Sequence, residues 1–178
     1  MVRICGALLI LAGSIGISYS FNHDMRCYIA LKRELIKMLQ LLEGEIRHRN
    51  LNLPECFASV PDRLSEPVAG FLTKLTEELR YREGTALSVL WSEKVHAYFS
   101  SAAGPTRCIL KDGDIEGLCG FGEEFGYRDQ TMQINMIQQY EARLEEEVSG
   151  TLKQMQETSR IYSTMGVLGG VFVIVVLL

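Results

Sequence analysis

Two short motifs contain the residue types that bind a pair of iron ions. Glu45 and His48 stand three residues apart, and the same spacing recurs at Glu93 and His96. Facing helices that each carry Glu-x-x-His can supply ligands to a di-iron centre, provided that the ligands project into the bundle. An advance of about 100° per residue places His48, Glu93 and His96 away from the apolar side of their helices. The sequence therefore predicts no metal, and a membrane-bound di-iron enzyme is the weakest of the alternatives.

Other catalytic patterns are absent from the sequence. The three histidines are His23, His48 and His96, and the chain has no G-x-S-x-G nucleophile turn and no phosphate-binding G-x-x-x-x-G-K-[ST] loop. Trp91 lies on an apolar helical stripe, which favours a core position over a ligand platform. The net charge of −4 and the acidic run at residues 145–147 do not favour nucleic acid. We predict no catalytic residue, no cofactor and no enzymatic activity.

The five cysteines are scattered along the chain, and they form neither a CxxC pair nor a zinc-like cluster. A domain large enough to build its own core seldom depends on disulfides, so we predict reduced cytosolic thiols. The alternative of a disulfide remains, because the region between the apolar ends holds an even number of them, namely Cys27, Cys56, Cys108 and Cys119.

The elements that would position these residues are all helical. Apolar residues recur every three or four positions between residues 31 and 46, 68 and 79, 87 and 98, 115 and 125, and along a long pattern from residue 129 to 178. Ser65, Thr85 and Asp129 are the predicted N-caps of three of these helices. No alternating strand pattern is present. The fold class predicted is therefore all-α, an antiparallel bundle of five to six helices with short connections.

Both ends of the chain are apolar. Residues 4–21 contain no charge, and neither do residues 161–178. About 18 to 20 apolar residues can cross a bilayer as a helix. We predict transmembrane helices at residues 1–21 and 161–178 around a soluble helical domain at residues 22–160. The alternative is a cleaved secretory signal, with Arg3 before the apolar stretch and a small-x-small site at Ser18 and Ser20.

The predicted spans also carry small residues four positions apart, which let helices approach closely in lipid. These transmembrane packing residues are Ala12, Gly16, Gly166 and Gly170. Cations flank the spans mainly on the side of the domain, which favours a cytoplasmic domain. They are Arg26, Lys32, Arg33, Lys37, Lys153 and Arg160, against Arg3 alone on the other side.

One segment resembles a known family. Residues 121–130 read FGEEFGYRDQ, which is similar to the G-x-x-[LF]-G-x-x-D segment that opens the last helix of the stage III sporulation protein AB family. Further agreement extends along nearly the whole chain, at residues 41–46 (LLEGEI), 53–55 (LPE), 67–68 (PV), 83–84 (EG) and 90–91 (LW), at Gln138 and in the apolar tail. The basic residues that often precede the last span in that family are fewer here.

The resemblance implies a fold like the cytoplasmic domain of the F platform proteins of type II secretion. It implies a non-enzymatic scaffold in the mother-cell membrane around the forespore of an endospore-forming bacterium. Its partners would be a secretion-type ATPase and other proteins of a channel complex, and a homo-oligomer is left open. The second alternative is a signal-cleaved, C-terminally anchored extracytoplasmic helical domain.

Partner contacts are predicted at the turn before the last helix. Its residues are Gly122, Glu123, Gly126, Arg128, Asp129 and Gln130. A structural role as helix-ending glycine or N-cap competes with partner binding at Gly122, Gly126 and Asp129. Glu123, Arg128 and Gln130 have no such structural explanation in the sequence.

Overall fold

The protein is all-helical throughout the described residues. The computed structural model describes the backbone at residues 2–49, 53–82, 84–100, 110–125 and 129–177, and side chains at 24–48, 53–82, 84–100, 110–125 and 129–158. In order, the elements are α1 (Val2–Arg49), α2 (Leu53–Ser59), a 3-10 turn (Pro61–Arg63), α3 (Val68–Tyr81), α4 (Leu87–Phe99), α5 (Asp112–Phe125) and α6 (Gln130–Leu177). The prediction of an all-α helical bundle is confirmed.

Helices α1 and α6 make the most extensive contact between any two elements of the described chain. Each is a single helix of 48 residues, and α6 runs through Gly150 without a break. The two helices are antiparallel, because residues with increasing numbers along α1 bond to residues with decreasing numbers along α6. The cross-links are Lys32 to Glu147, Gln40 to Glu141, Glu43 to Gln138, and the Ile46 carbonyl to Gln130.

The shorter helices pack beside this pair in chain order. Helix α4 packs mainly on α5, α3 packs on α4, and α2 packs on α3. Trp91 lies at the centre of the core with no exposed surface, and its ring centroid is 5.0 Å from that of Phe71, 5.9 Å from Phe57 and 5.8 Å from Phe121. The prediction of a core role for Trp91 is confirmed.

Two of the three predicted N-caps are wrong. Helix α3 begins after Pro67, with no side-chain cap, and the Ser65 amide instead donates to the Glu34 carboxylate of α1 at 2.7 Å. Helix α4 begins after Ala86 rather than Thr85, because the turn at Gly84, with a φ of +90°, continues through an extended Ala86. Tertiary contacts and turn geometry determine where α3 and α4 begin. Neither can be inferred from the spacing of apolar residues along the sequence.

The predicted membrane helices stand at the two ends of the chain. Within the described part of the chain, no helix has a stretch long and apolar enough to cross a membrane. The two predicted spans, residues 1–21 and 161–178, lie outside the residues whose side chains are described. The same holds for the predicted packing residues, which are Ala12, Gly16, Gly166 and Gly170.

The prediction of reduced thiols is wrong for Cys27. Cys27 is disulfide-bonded, and its partner lies outside the described residues. The thiols of Cys56, which is buried, and Cys119, which is partly exposed, form no disulfide. Disulfide formation depends on which segments the fold brings together, and spacing along the chain does not show this.

Candidate docking surface and a buried charge cluster

Gly122, one of the predicted partner residues, is buried between α5 and α4. A Cβ atom at this position would lie 2.1 Å from Cδ1 of Trp91, so only glycine lets the indole ring approach α5 so closely. The ring nitrogen of Trp91 donates to the Leu118 carbonyl at 2.8 Å, which fixes the ring against the helix. Gly122 therefore has a structural role, and the neighbouring Glu123 is exposed to solvent.

The start of α6 is bonded to two other helices. The side-chain amide of Gln130 donates to the Ile46 carbonyl of α1 at 2.6 Å. The side-chain amide of the buried Gln133 donates to the Phe125 carbonyl of α5 at 3.2 Å. Carbonyl groups near the C-terminal end of a helix lack a partner within the helix. These two bonds supply such partners at the ends of α1 and α5. Of the other predicted partner residues at this turn, Gly126 and Arg128 lie outside the described residues.

Asp129 caps α6, as the sequence predicts. Its carboxylate accepts a hydrogen bond from the Met132 amide at 2.9 Å. Removal of such a cap costs about 1 kcal/mol, so Asp129→Ala should lower the free energy of unfolding by this amount. Asp129→Asn keeps the acceptor and is the matched control. Urea unfolding should separate the two variants, and equal stability of both would exclude a capping role.

An open groove lies between α4 and α5 on the side away from the core. Its volume is about 520 Å³, and it is lined by Ser88, Val89, Ser92 and Glu123. The hydroxyl of Ser92 lies 3.5 Å from Sγ of Cys119. The groove therefore joins a predicted partner residue, Glu123, to three residues of α4 that the sequence did not single out.

A second site is the charge cluster, formed by Tyr28, Lys32, Asp114, Arg143 and Glu147. The side chain of Lys32 is only 1% exposed, and its Nζ lies 2.7 Å from Asp114 and 2.5 Å from Glu147. The Tyr28 hydroxyl donates to Asp114 at 2.7 Å, and Arg143 Nε lies 3.0 Å from Glu147. A buried charge needs such partners, because its removal from water is otherwise costly. The cluster joins α5 to both long helices.

Lys32 and its carboxylate partners, Asp114 and Glu147, shift one another's pKa values. Burial lowers the pKa of Lys32, but its bonds to Asp114 and Glu147 outweigh this and hold the pKa above its ordinary value. Burial raises the pKa of Asp114, but the bonds from Lys32 and Tyr28 outweigh this, and the pKa lies below its ordinary value. The pKa of Glu147 is lowered in the same way, by Lys32 and Arg143 against its burial. All three groups are therefore charged at neutral pH.

Nearly the whole chain matches one known protein family. The family model of stage III sporulation protein AB matches residues 3–178. The chain belongs to this family. Membership makes it a sporulation-related protein and confirms the resemblance seen at residues 121–130. No curated protein and no solved structure matches the chain.

The two Glu-x-x-His motifs do not come together. His48 is exposed, Glu93 pairs with Arg82 at 3.1 Å, and the Nε2 of His96 lies 3.9 Å from Sγ of Cys119. Among the residues that the structure describes, no three His, Cys, Asp or Glu side chains are grouped so that they could hold a metal ion.

The charge cluster is the feature that sequence reasoning missed, although a signal was present. Lys32 follows the core residue Tyr28 by four positions and precedes the core residue Leu35 by three, which places it on the buried stripe of α1. A lysine on such a stripe requires an acidic partner from another helix. The sequence prediction counted Lys32 among the cations that flank the membrane, whereas the structure buries it.

The charge cluster predicts how stability depends on pH. Asp114 and Glu147 have folded pKa values below their ordinary 3.8 and 4.5, so their contribution is complete above about pH 5 and is lost as pH falls through the folded values. The folded pKa of Lys32 lies above its ordinary 10.5, so its contribution is lost only above that pH. Unfolding monitored by Trp91 fluorescence should show a loss below pH 4.5, and this loss should be smaller in Lys32→Met. An identical acid loss in both proteins would contradict the pairing.

Proposed function

We propose that the chain is a non-enzymatic platform subunit, anchored in a membrane by both of its terminal segments. It would act in the mother-cell membrane around the forespore, as part of a secretion-like channel complex, and would couple a cytoplasmic ATPase to the membrane components. Family membership supports the sporulation context. The apolar, uncharged residues 4–21 and 161–178 support the membrane anchors.

The observation that carries the proposal is the pair of long helices. Helices α1 and α6 each extend over 48 residues, from the packed domain into one of the two apolar ends. Cross-bonds hold the pair together from the Ile46 carbonyl and Gln130 at one end to Lys32 and Glu147 towards the other. A force applied to the domain would therefore act on both terminal segments at once. The small residues Ala12, Gly16, Gly166 and Gly170 would allow these segments to pack closely in lipid.

Two prolines placed between the domain and the last apolar segment test this coupling. Gln156 and Glu157 are exposed and directly follow Met155, which packs against the edge of the core, so Gln156→Pro with Glu157→Pro interrupts α6 where it leaves the packed domain. Each proline costs a helix interior about 3 kcal/mol and removes a hydrogen bond. We expect the variant to fold and to block sporulation, and the control pair Gln156→Ala with Glu157→Ala to sporulate normally. Normal sporulation of a folded proline variant would exclude mechanical coupling through α6.

The Cys27 disulfide favours a second candidate function. Disulfides persist mainly in oxidising compartments outside the cytosol. The second candidate is therefore a helical domain on the far side of the membrane, anchored by its C-terminal segment, with the N-terminal segment acting as a cleaved signal. Alkylation of intact cells before lysis distinguishes the two compartments. Cys27 should be blocked as a disulfide in an extracytoplasmic domain and should react with alkylating reagent in a reducing cytosol.

A further inference from the structure

We infer that the groove between α4 and α5 binds a helical segment of a partner protein, one that carries lysine or arginine beside small apolar side chains. The inference rests on the proposed platform function and adds the surface and the chemistry of the partner. Its occupant is a protein helix, neither a small molecule nor a lipid surface. The shape of the groove, the exposed valine within it and its negative charge lead to this conclusion.

The shape of the groove suits a third helix. Helices α4 and α5 are drawn together on the core side, where Gly122 lies against the ring of Trp91. On the outer side, Ser88 and Ser92 lie one turn apart on α4, and a shallow groove of about 520 Å³ remains open to solvent. A helix laid along this groove would present side chains at three- and four-residue spacing to the valine and to the polar residues that line it.

An exposed apolar side chain lies in the same groove. Val89 is 55% exposed and is one of three large apolar residues with such exposure among the described residues. A single exposed valine is ordinary on a protein surface. Here, however, it lines the groove together with two serines and a glutamate. A small apolar side chain of the partner would cover Val89 and remove its surface from water, which is favourable.

The negative charge of the groove favours a positively charged partner. Glu123 is exposed, and the salt bridges between described residues do not include it. The exposed positions of α5 are acidic or glycine throughout, namely Asp112, Gly113, Glu116, Gly120, Glu123 and Glu124. The only lysine of α4, Lys94, is bonded to Glu78 of α3. A basic helix is complementary to this surface, whereas an acidic helix or an anionic lipid surface would be repelled.

Helix α5 also connects the groove to the long helices. At one end of α5 Glu123 lines the groove, and at the other Asp114 bonds Lys32 of α1 in the charge cluster. Between them, the ring of Phe121 stacks on Tyr140 of α6 with centroids 5.2 Å apart. A helix bound in the groove would therefore act on α1 and α6 through α5. The groove lies where a partner could apply force to the platform.

Photo-crosslinking of the full chain in sporulating cells tests the inference. The crosslinking amino acid p-benzoylphenylalanine is placed at Val89 and, as a control, at Tyr81, which is 86% exposed at the end of α3. We expect an adduct from Val89 but not from Tyr81, and sequencing of the crosslinked peptide should find a segment with net positive charge and helical periodicity. Glu123→Lys should reduce the adduct at least about tenfold by like-charge repulsion, and Glu116→Lys, further along α5, should reduce it less.

Several outcomes would overturn the inference. They are no adduct at Val89 above the Tyr81 control, a crosslinked segment that is acidic or neutral, a crosslink to lipid or to a second copy of this chain, and an adduct unchanged by Glu123→Lys. The fluorescence of Trp91 confirms that each variant is folded. Failure of the platform function is a separate result. If the groove gives no adduct while the proline pair at Gln156 and Glu157 still blocks sporulation, the groove inference fails and the platform proposal stands.

Discussion

Replacement of Lys32 by methionine should lower the free energy of unfolding by about 3 kcal/mol, because it leaves two carboxylates in a partly buried site without their main cation. Lys32 lies 2.7 Å from Asp114 and 2.5 Å from Glu147. Methionine has a similar length and keeps most of the packing of the side chain. Arg143 and the Tyr28 hydroxyl still compensate part of the charge, which places the expected loss at the lower end for a broken buried pair.

Urea unfolding of the full chain in non-ionic detergent measures this loss, and Trp91, the only tryptophan, reports on the core. The matched control is Lys37→Met, because Lys37 pairs with Glu34 on the exposed side of the same helix and such pairs contribute about 0–1 kcal/mol. In Lys32→Met, a further change of Asp114→Asn should recover part of the stability. If the two lysine variants were equally stable, the charge cluster would have no structural importance.

A second large effect is expected at Gly122. Gly122→Ala puts a Cβ 2.1 Å from Cδ1 of Trp91, and this contact can be relieved only if α5 or the indole ring moves. Because the ring is fully buried and bonded to the Leu118 carbonyl, we expect a loss of about 1–3 kcal/mol from overpacking. A change in the fluorescence of Trp91 in the folded state should accompany the loss.

Gly120 provides a control on the same helix. It is exposed, and a Cβ at this position would meet nothing within 4 Å. Gly120→Ala should therefore stabilise the protein by up to about 1 kcal/mol, since alanine is the better helix former. The two substitutions are chemically identical and lie two residues apart, so opposite signs would isolate the contact with Trp91. A loss of similar size at both positions would show that the close approach of α4 and α5 is not what requires glycine at position 122.

The sequence predicted those features of the fold that depend on local periodicity. The apolar stripe with Leu35, Leu39 and Leu42 predicted the buried face of α1, and these residues are buried. Asp129 predicted the start of α6, because an N-cap acts within its own turn. Local rules were insufficient at Ser65, whose amide bonds Glu34 across 31 positions of sequence.

The candidate sites depend on contacts between distant parts of the chain. Lys32 meets Asp114 and Glu147 only because α1, α5 and α6 converge, and the period of a single helix does not show which helices meet. The groove arises in the same way, from Ser88 and Val89 on one helix and Glu123 on the next. Glu123 could be singled out from the sequence, but its neighbours in the groove required the packing of α4 on α5.

The intact mass of the protein extracted by detergent from alkali-washed membranes tests the central claim most directly. A platform held in lipid by both terminal segments should be recovered in the washed membranes at its full mass of 20.0 kDa. Recovery in the soluble fraction, or as a shorter form that lacks the apolar residues 4–21, would contradict the claim.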